Sequence, residues 1–341
     1  MSSNKALPDL SVVLVNYRSA DLIRDCLDSI AAHDPSLEAQ YLIVDNSSSK
    51  EDEQFLKARY PGLVWIDMGY NAGFARANNA GIRAAVAPVI LLLNPDTLAV
   101  DDSLSRCVRK LAASPYAACG VQLLNADGSA QISGSFFMKG GLNHLLPVPY
   151  WGPLLRWIAF RLRTPRTHVA VAGPAEEVDW ISGAFLMVRR PVIEQAGLLD
   201  EDFFLYAEEV EWCSRLRRYG RLCLFGDLHF IHLQGEAVNR DQAGDGKGYG
   251  GLYTRKDRQL MVSNLLRVRK QYGVGWFLFL LVNYTWGILV YALGSFLHRL
   301  LTGRNPVGEW GRVAAYGRNV WAMWRLAPRM VGGKPYFYKV L

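Results

Sequence analysis

The sequence predicts an α/β protein with a mixed, mainly parallel central sheet flanked by helices. Three observations carry this. Short apolar runs alternate with helix-like patterns through the first half of the chain. The runs are nearly continuous in Val, Leu and Ile, as strands buried on both faces require. The intervening segments are long enough for right-handed helical crossovers.

The elements follow in order. Ser11–Tyr17 (SVVLVNY) reads as a strand, and 21–32 as a helix with Leu22, Ile23, Cys26, Leu27 and Ile30 on one face. Tyr41–Asp45 is a second strand, followed by a polar turn, NSSSKED, suited to capping a helix. Residues 63–67 form a third strand, 75–86 a helix, and Val89–Leu93 a fourth strand running into Asn94-Pro95-Asp96. The stretch LLNADGSAQIS carries a hairpin signal at Asp127–Gly128, which makes the sheet mixed beyond its parallel core. Residues 137–175, rich in Gly, Pro and Trp, read as an insertion without clear period. Order resumes at VDWISGAFLMVRR, a short helix opens on Pro191, and an acidic helix covers 207–219. GDGKGYGG reads as a mobile loop. No internal repeat is evident.

With 341 residues, half of them hydrophobic, the chain can bury a sizeable core. Five scattered cysteines show neither close pairing nor metal spacing, and read as reduced core residues of a cytoplasmic protein. The N-terminal stretch enters a strand almost at once, with no secretory signal expected. Charge is uneven: residues 255–341 hold fourteen Lys/Arg against two acids, so a basic tail of +12 follows a body of −5 within the overall +7. Gly273–Leu297 is free of charge over 25 residues. As a helix it would reach about 37 Å, enough for a bilayer core. This favours a phospholipid surface over nucleic acid as the anionic partner. Basic residues on both flanks give no inside–outside bias. They favour a segment that dips in and returns, bending at 283–287, with a buried core helix as the alternative and a true crossing left open.

Three neighbouring strands end in polar side chains: Asn16–Tyr17, Asp45–Asn46 and Asn94–Asp96. Ligands of open α/β sheets bind outside those ends. A nucleotide fits such a set, with Asp45 accepting from a base N–H or ribose hydroxyl and Tyr17 stacking on the base. Asp96 then suits a divalent cation, Mg²⁺ or Mn²⁺, on the pyrophosphate. Neither G-x-G-x-x-G after the first strand nor a P-loop is present, which argues against dinucleotide oxidoreductases and P-loop NTPases.

The successive motifs SVVLVNYRSADLIRDCLDSI, LIVDNSSSKED, NAGFARANNAGI and LLLNPDT resemble those of inverting family-2 glycosyltransferases with a GT-A fold, and most nearly the rhamnosyltransferase group. The resemblance covers about residues 10–240. It implies a catalytic domain over 1–240, with a donor half at about 10–125 and an acceptor half at about 126–240. A loop and basic linker helix would follow over 241–272, then membrane-associating helices over 273–341. It implies Asp96 as the surviving acid of an Asp-x-Asp metal motif whose first position is Asn94. It makes Asn71, Arg76 and Asn78 donor contacts, Trp180 an acceptor-side aromatic, and His232 a metal-site histidine. In FFLYAEEVEWCSRLRRYG the catalytic base falls on Glu209. Glu208 and Glu211 are its competitors and acceptor-side neighbours, although Glu211 also sits four residues before Arg215, as an ordinary ion pair would. His232 is followed by Glu236 and Ala237, where the family pattern has a serine.

The expected function is transfer of one sugar, with rhamnose from dTDP-rhamnose as the leading case. The acceptor would be a lipid-linked or polysaccharide hydroxyl at the inner face of the cell membrane. Processive synthesis is disfavoured by the missing Q-x-x-R-W, and nucleotidyl transfer by the missing glycine-rich loop after the first strand. The alternative is a non-catalytic nucleotide-sugar binder or scaffold of membrane polysaccharide assembly.

Overall fold

The computed structural model describes residues 8–137, 139–163, 167–233 and 251–341. They fall into two compact units. One takes the described residues of 1–136, 168–201 and 209–245, the other those of 137–167, 202–208 and 246–341.

The first unit is built on a nine-stranded mixed sheet. Its parallel half comprises β1 (Leu10–Asn16), β2 (Ala39–Asp45), β3 (Val64–Asp67) and β4 (Val89–Leu93), ordered β3-β2-β1-β4. Helices α1 (Ala20–His33), α2 (Lys50–Arg59) and α3 (Gly73–Ala84) connect them. The order reverses at β1, so a topological switch lies between the ends of β1 and β4. β4 is buried at all five residues, as its uninterrupted apolar run demands.

Beyond β4 the sheet turns mixed, as the hairpin signal predicts. It adds β5 (Thr97–Ala99), α4 (Ser103–Ala112), β6 (Ala118–Leu124), β9 (Glu176–Val178), β11 (Phe185–Arg189) and β12 (Leu222–His232). β11 pairs antiparallel with β4, and β12 lies between β6 and β5. β7 (Gly134–Ser135), β8 (His168–Val169) and β10 (Trp180–Ile181) make a small second sheet. Helix α6 covers Arg190–Ala196. The hairpin turn runs through Gly128 at φ +80°, with Asn125 N donating to Ser129 O. All five cysteines are buried thiols.

In the second unit, a 3-10 turn at Lys139–Leu145 and α5 (Trp151–Arg161) accompany α8 (Arg255–Leu301) and α9 (Trp310–Gly332). Between α6 and α8 the chain forms α7 (Glu208–Leu216), whose first residue groups with the second unit. α8 starts on a capping box between Thr254 and Asp257. Its break falls at Gly273 (φ 87°, ψ −178°), not at 283–287. Asn283 and Thr285 hydrogen-bond the carbonyls of Phe279 and Leu281 within the helix, so neither interrupts it. Gly287 sits against Val148 and Tyr316, where its missing side chain makes room for them rather than for a bend. The GDGKGYGG loop, Glu236 and Ala237 lie outside the described residues, apart from Gly251.

Candidate active site at the strand ends

The polar strand ends meet on one rim, but in two different states. At the β1–β2 edge, Asn16 stands opposite Asp45 in the ladder. Asp45 is fully buried, and Oδ1 accepts from Asn16 Nδ2 (3.0 Å), Ser47 N (2.9 Å) and Ser47 Oγ (2.5 Å), while Oδ2 accepts from Ser49 N (2.8 Å). Asn16 Nδ2 also donates to Asp52 (2.9 Å), and Asn16 Oδ1 accepts from Ser19 N (3.0 Å). These two residues spend their polar atoms on shaping the turns into α1 and α2. Tyr17 is half-buried with the Arg18 guanidinium 5.6 Å from its ring centre. A cleft of about 440 Å³ opens beside them, lined by Arg18, Asp21, Ser47, Glu51, Asp52 and Phe55 among others. Its three carboxylates suit a diphosphate poorly.

The NAGFARANN segment is likewise engaged. Asn71 Oδ1 accepts from Gly73 N, opening α3 with an Asx turn, and Asn78 Nδ2 donates to the Phe74 carbonyl one turn back. Arg76 Nε donates to the Glu201 carbonyl at 3.0 Å. Asn46, which the strand-end reading leaves without a role, clamps this loop by bonding both Gly73 O and Ala72 N. Its only sequence signal is its place directly after the strand-ending Asp45.

The β4–β12 edge differs. Asp96 is buried at 4% exposure, and its Oδ1 lies 3.4 Å from His232 Nε2. Asn94 Nδ2 is also 3.4 Å from that nitrogen. Pairing of His232 with Thr97 and the Leu233 N–Asp96 O bond hold the two segments together. Gln131 sets the ring. Its Nε2 donates to the His232 carbonyl (2.6 Å) and to Asn125 Oδ1 (2.8 Å), which leaves Oε1 facing His232 Nδ1 at 3.0 Å. In neutral His232 the proton therefore sits on Nδ1, and the Nε2 lone pair faces the Asp96 carboxylate. Asn94 Nδ2 is a donor in reach of that nitrogen, and the Asp96 oxygen beside it is of the kind that a proton or a cation can bridge to an imidazole. One carboxylate oxygen and one imidazole nitrogen with an oriented supporting shell are donor types that would suit a divalent cation. No group of three His, Cys, Asp or Glu suited to a metal occurs among the described residues. Gln131 escapes sequence reasoning, because its partner lies 101 residues away.

The acidic helix sorts its own candidates. Glu211 is buried and bound through both oxygens to Arg215 (2.8–3.1 Å), which also holds the carbonyls of Ala196 and Leu198. The expected place beside an acceptor therefore does not suit Glu211. The ion-pair alternative accounts for it. Glu208 is buried, in the segment that groups with the second unit. Glu209 lies by the rim: a Cβ added at Gly183 would stand 3.5 Å from both its Cβ and Cγ. The same turn is tied to the strand end, since Asn94 N donates to Ala184 O (3.0 Å) and Phe185 pairs with Leu93. Just before α7, Tyr206 (φ 74°) and Ala207 (φ 66°) are both left-handed, a strained entry that no residue pattern announces. Trp180 ends in an enclosed indole N–H without an acceptor among the described residues.

Residues 11–164 match the family model for glycosyl transferase family 2. The low-salt glycan biosynthesis hexosyltransferase Agl10 of Haloferax volcanii is 30% identical over 221 residues, 62% of this chain and 62% of its own length. That is just under two thirds of this relative. The N-acetylglucosaminyl-diphospho-decaprenol L-rhamnosyltransferase of Mycobacterium tuberculosis is 28% identical over 69% of this chain and 79% of its own. In fold, the chain resembles the mannosyltransferase PcManGT of Pyrobaculum calidifontis, solved with GDP-Man and Mn²⁺. The TM-score is 0.52 at 17% identity, over 93% of this chain and 87% of that one.

Proposed function

We propose that this chain, which carries a glycosyltransferase family 2 domain on a GT-A fold, moves a single sugar from a nucleoside-diphosphate donor to an acceptor hydroxyl, with inversion. The observation that carries the reading is the convergence of Glu209, through Gly183 and Ala184, on the strand end that holds Asp96 beside His232.

Each group then has a task. A sugar hydroxyl is a weak nucleophile at neutral pH. Glu209 takes its proton as the oxygen attacks the anomeric carbon from the face opposite the diphosphate. The new C–O bond forms as the bond to the β-phosphate oxygen breaks, which inverts the centre. A divalent cation held by Asp96 and His232 would offset the charge gathering on the departing diphosphate. Asn16 and Asp45 keep the turns of the β1–β2 edge rigid, and Tyr17 offers an aromatic face to a base at that edge.

Rhamnose from dTDP-rhamnose is the donor we favour, and a lipid-linked acceptor is supported by the name of the mycobacterial relative. The basic, apolar C-terminal helices suit a membrane-borne acceptor at the cytoplasmic face. The test is nucleotide release by purified protein with Mg²⁺ or Mn²⁺ across a panel of donors, with membrane lipid extract as acceptor source. One donor should give release that EDTA abolishes. No release from any donor would favour a non-catalytic binder instead. Glu209→Gln should bind donor and fail to turn over, and full activity in that variant would remove Glu209 as base.

A further inference from the structure

The second unit carries an exposed apolar stripe that the chemistry above does not use. Along α8, Leu278, Val282, Trp286, Leu289, Leu293 and Leu297 recur at three- and four-residue steps, all exposed. At about 100° per residue they share one side of the helix. The opposite side is packed, with Phe277, Leu280, Tyr284 and Tyr291 buried.

That side is shared by the stretch around His144 and Val148, which meets Tyr284 and Gly287, and, on the flank nearer the stripe, by α9, which runs antiparallel and whose Trp324 Nε1 donates to Thr285 Oγ1 (2.8 Å) beside Trp286. Arg269 donates to the Val331 carbonyl, Tyr316 Oη to the Tyr284 carbonyl (2.6 Å), and Tyr291 Oη to Glu309 (3.0 Å), which also pairs with Arg299. α9 thus accompanies α8 from Arg269 to about Tyr291, which takes in most of the uncharged segment. On its own exposed side, Trp310, Trp321 and Trp324 fall on one line, with Arg318, Arg325 and Arg329 on the line beside it.

By length and composition alone, a helix this apolar could cross a bilayer. The packing argues otherwise. If α8 crossed, α9 would cross with it and carry those arginines into hydrocarbon, at roughly a hundredfold each in the insertion equilibrium. Lying flat, the same pair places leucines at the acyl boundary, tryptophans at headgroup level and arginines against lipid phosphates.

We propose that α8 and α9 form an in-plane docking surface for an anionic phospholipid leaflet, without crossing it. This rests on the membrane reading above and refines it. The charge of the tail, +12 over residues 255–341, complements that one partner.

The test uses the full chain with phosphatidylcholine vesicles, with and without phosphatidylglycerol. The protein should co-sediment with the anionic vesicles, at least tenfold more tightly than with neutral ones, and be released by salt. Leu293→Glu and Val282→Glu, on exposed sites that leave the fold intact, should weaken binding tenfold or more. Arg318→Glu with Arg325→Glu should erase the preference for anionic lipid. Arg304→Cys, in the connection between the two helices, should react with a membrane-impermeant maleimide added outside the vesicles. Binding in which that introduced thiol stays protected until detergent is added would overturn the in-plane geometry while keeping membrane association. Absence of binding to any vesicle would remove the membrane reading itself. Stable self-association of unbound protein would assign the stripe to a second copy. Equal binding to both vesicle types would remove the anionic partner.

Discussion

Two edges of one sheet look alike in sequence and differ in chemistry. The β1–β2 edge ends in Asn16 and Asp45, and the β4–β12 edge in Asn94, Asp96 and His232. At the first, the Asp45 oxygens take four hydrogen bonds from the chain's own turns. At the second, a carboxylate and an imidazole nitrogen stand 3.4 Å apart, with Asn94 Nδ2 at the same distance from that nitrogen. A polar residue at a strand end is therefore a framework residue where it shapes the adjoining turns, and a ligand candidate where it stands beside an oriented imidazole.

The contrast can be broken most forcefully at Glu209 and Asp96. Glu209→Gln should lower turnover by about 10²–10⁴-fold with donor affinity retained, read by nucleotide release and by calorimetric titration of donor. Asp96→Asn should lower turnover by a comparable amount, together with metal-dependent donor binding, and leave the melting temperature nearly unchanged. Asp45→Ala should do the reverse. It strands buried donors at Asn16, Ser47 and Ser49, so thermal unfolding should show a loss of about 2–4 kcal/mol, with turnover per folded molecule largely kept.

A finer probe is Gln131. Gln131→Leu frees the His232 ring to take either tautomer, and Mn²⁺ affinity should fall about 10–100-fold. Gln131→Glu keeps an acceptor for Nδ1 but sets a carboxylate oxygen against the His232 carbonyl and Asn125 Oδ1, so it should not restore affinity, and ¹⁵N shifts of the ring report the tautomer directly. The smallest effect lies in the second unit. Burial and the neighbouring Arg267 hold His144 well below its usual pKa near 6.5. The unfolded chain takes up a proton near 6.5 that the folded unit refuses. Stability should be full above that pH and decline as pH falls below it. His144→Gln should flatten that decline in denaturant titrations, and an unchanged slope would remove His144 as its source.

Much of this is legible from residue order. The run Leu91–Leu93 announces a buried strand and hence a rim position for Asp96. The four-residue spacing of Glu211 and Arg215 announces their ion pair. Saturation is not legible, because it depends on partners distant in sequence: Asn16 and Asp45 lie 29 residues apart, and Gln131 and His232 lie 101 apart. The bend in α8 is misplaced by residue type for a local reason. Asn283 and Gly287 read as breakers, yet one bonds within its helix and the other makes room for Tyr316, while Gly273 takes the left-handed φ.

The most direct measurement is Mn²⁺ binding by electron paramagnetic resonance, with nucleoside diphosphate present, in wild-type protein, Asp96→Asn and Asp45→Asn. Loss of bound Mn²⁺ in Asp96→Asn, with retention in folded Asp45→Asn, is the predicted result. Retention in Asp96→Asn, or loss in folded Asp45→Asn alone, would contradict the division between an edge that binds and an edge that frames.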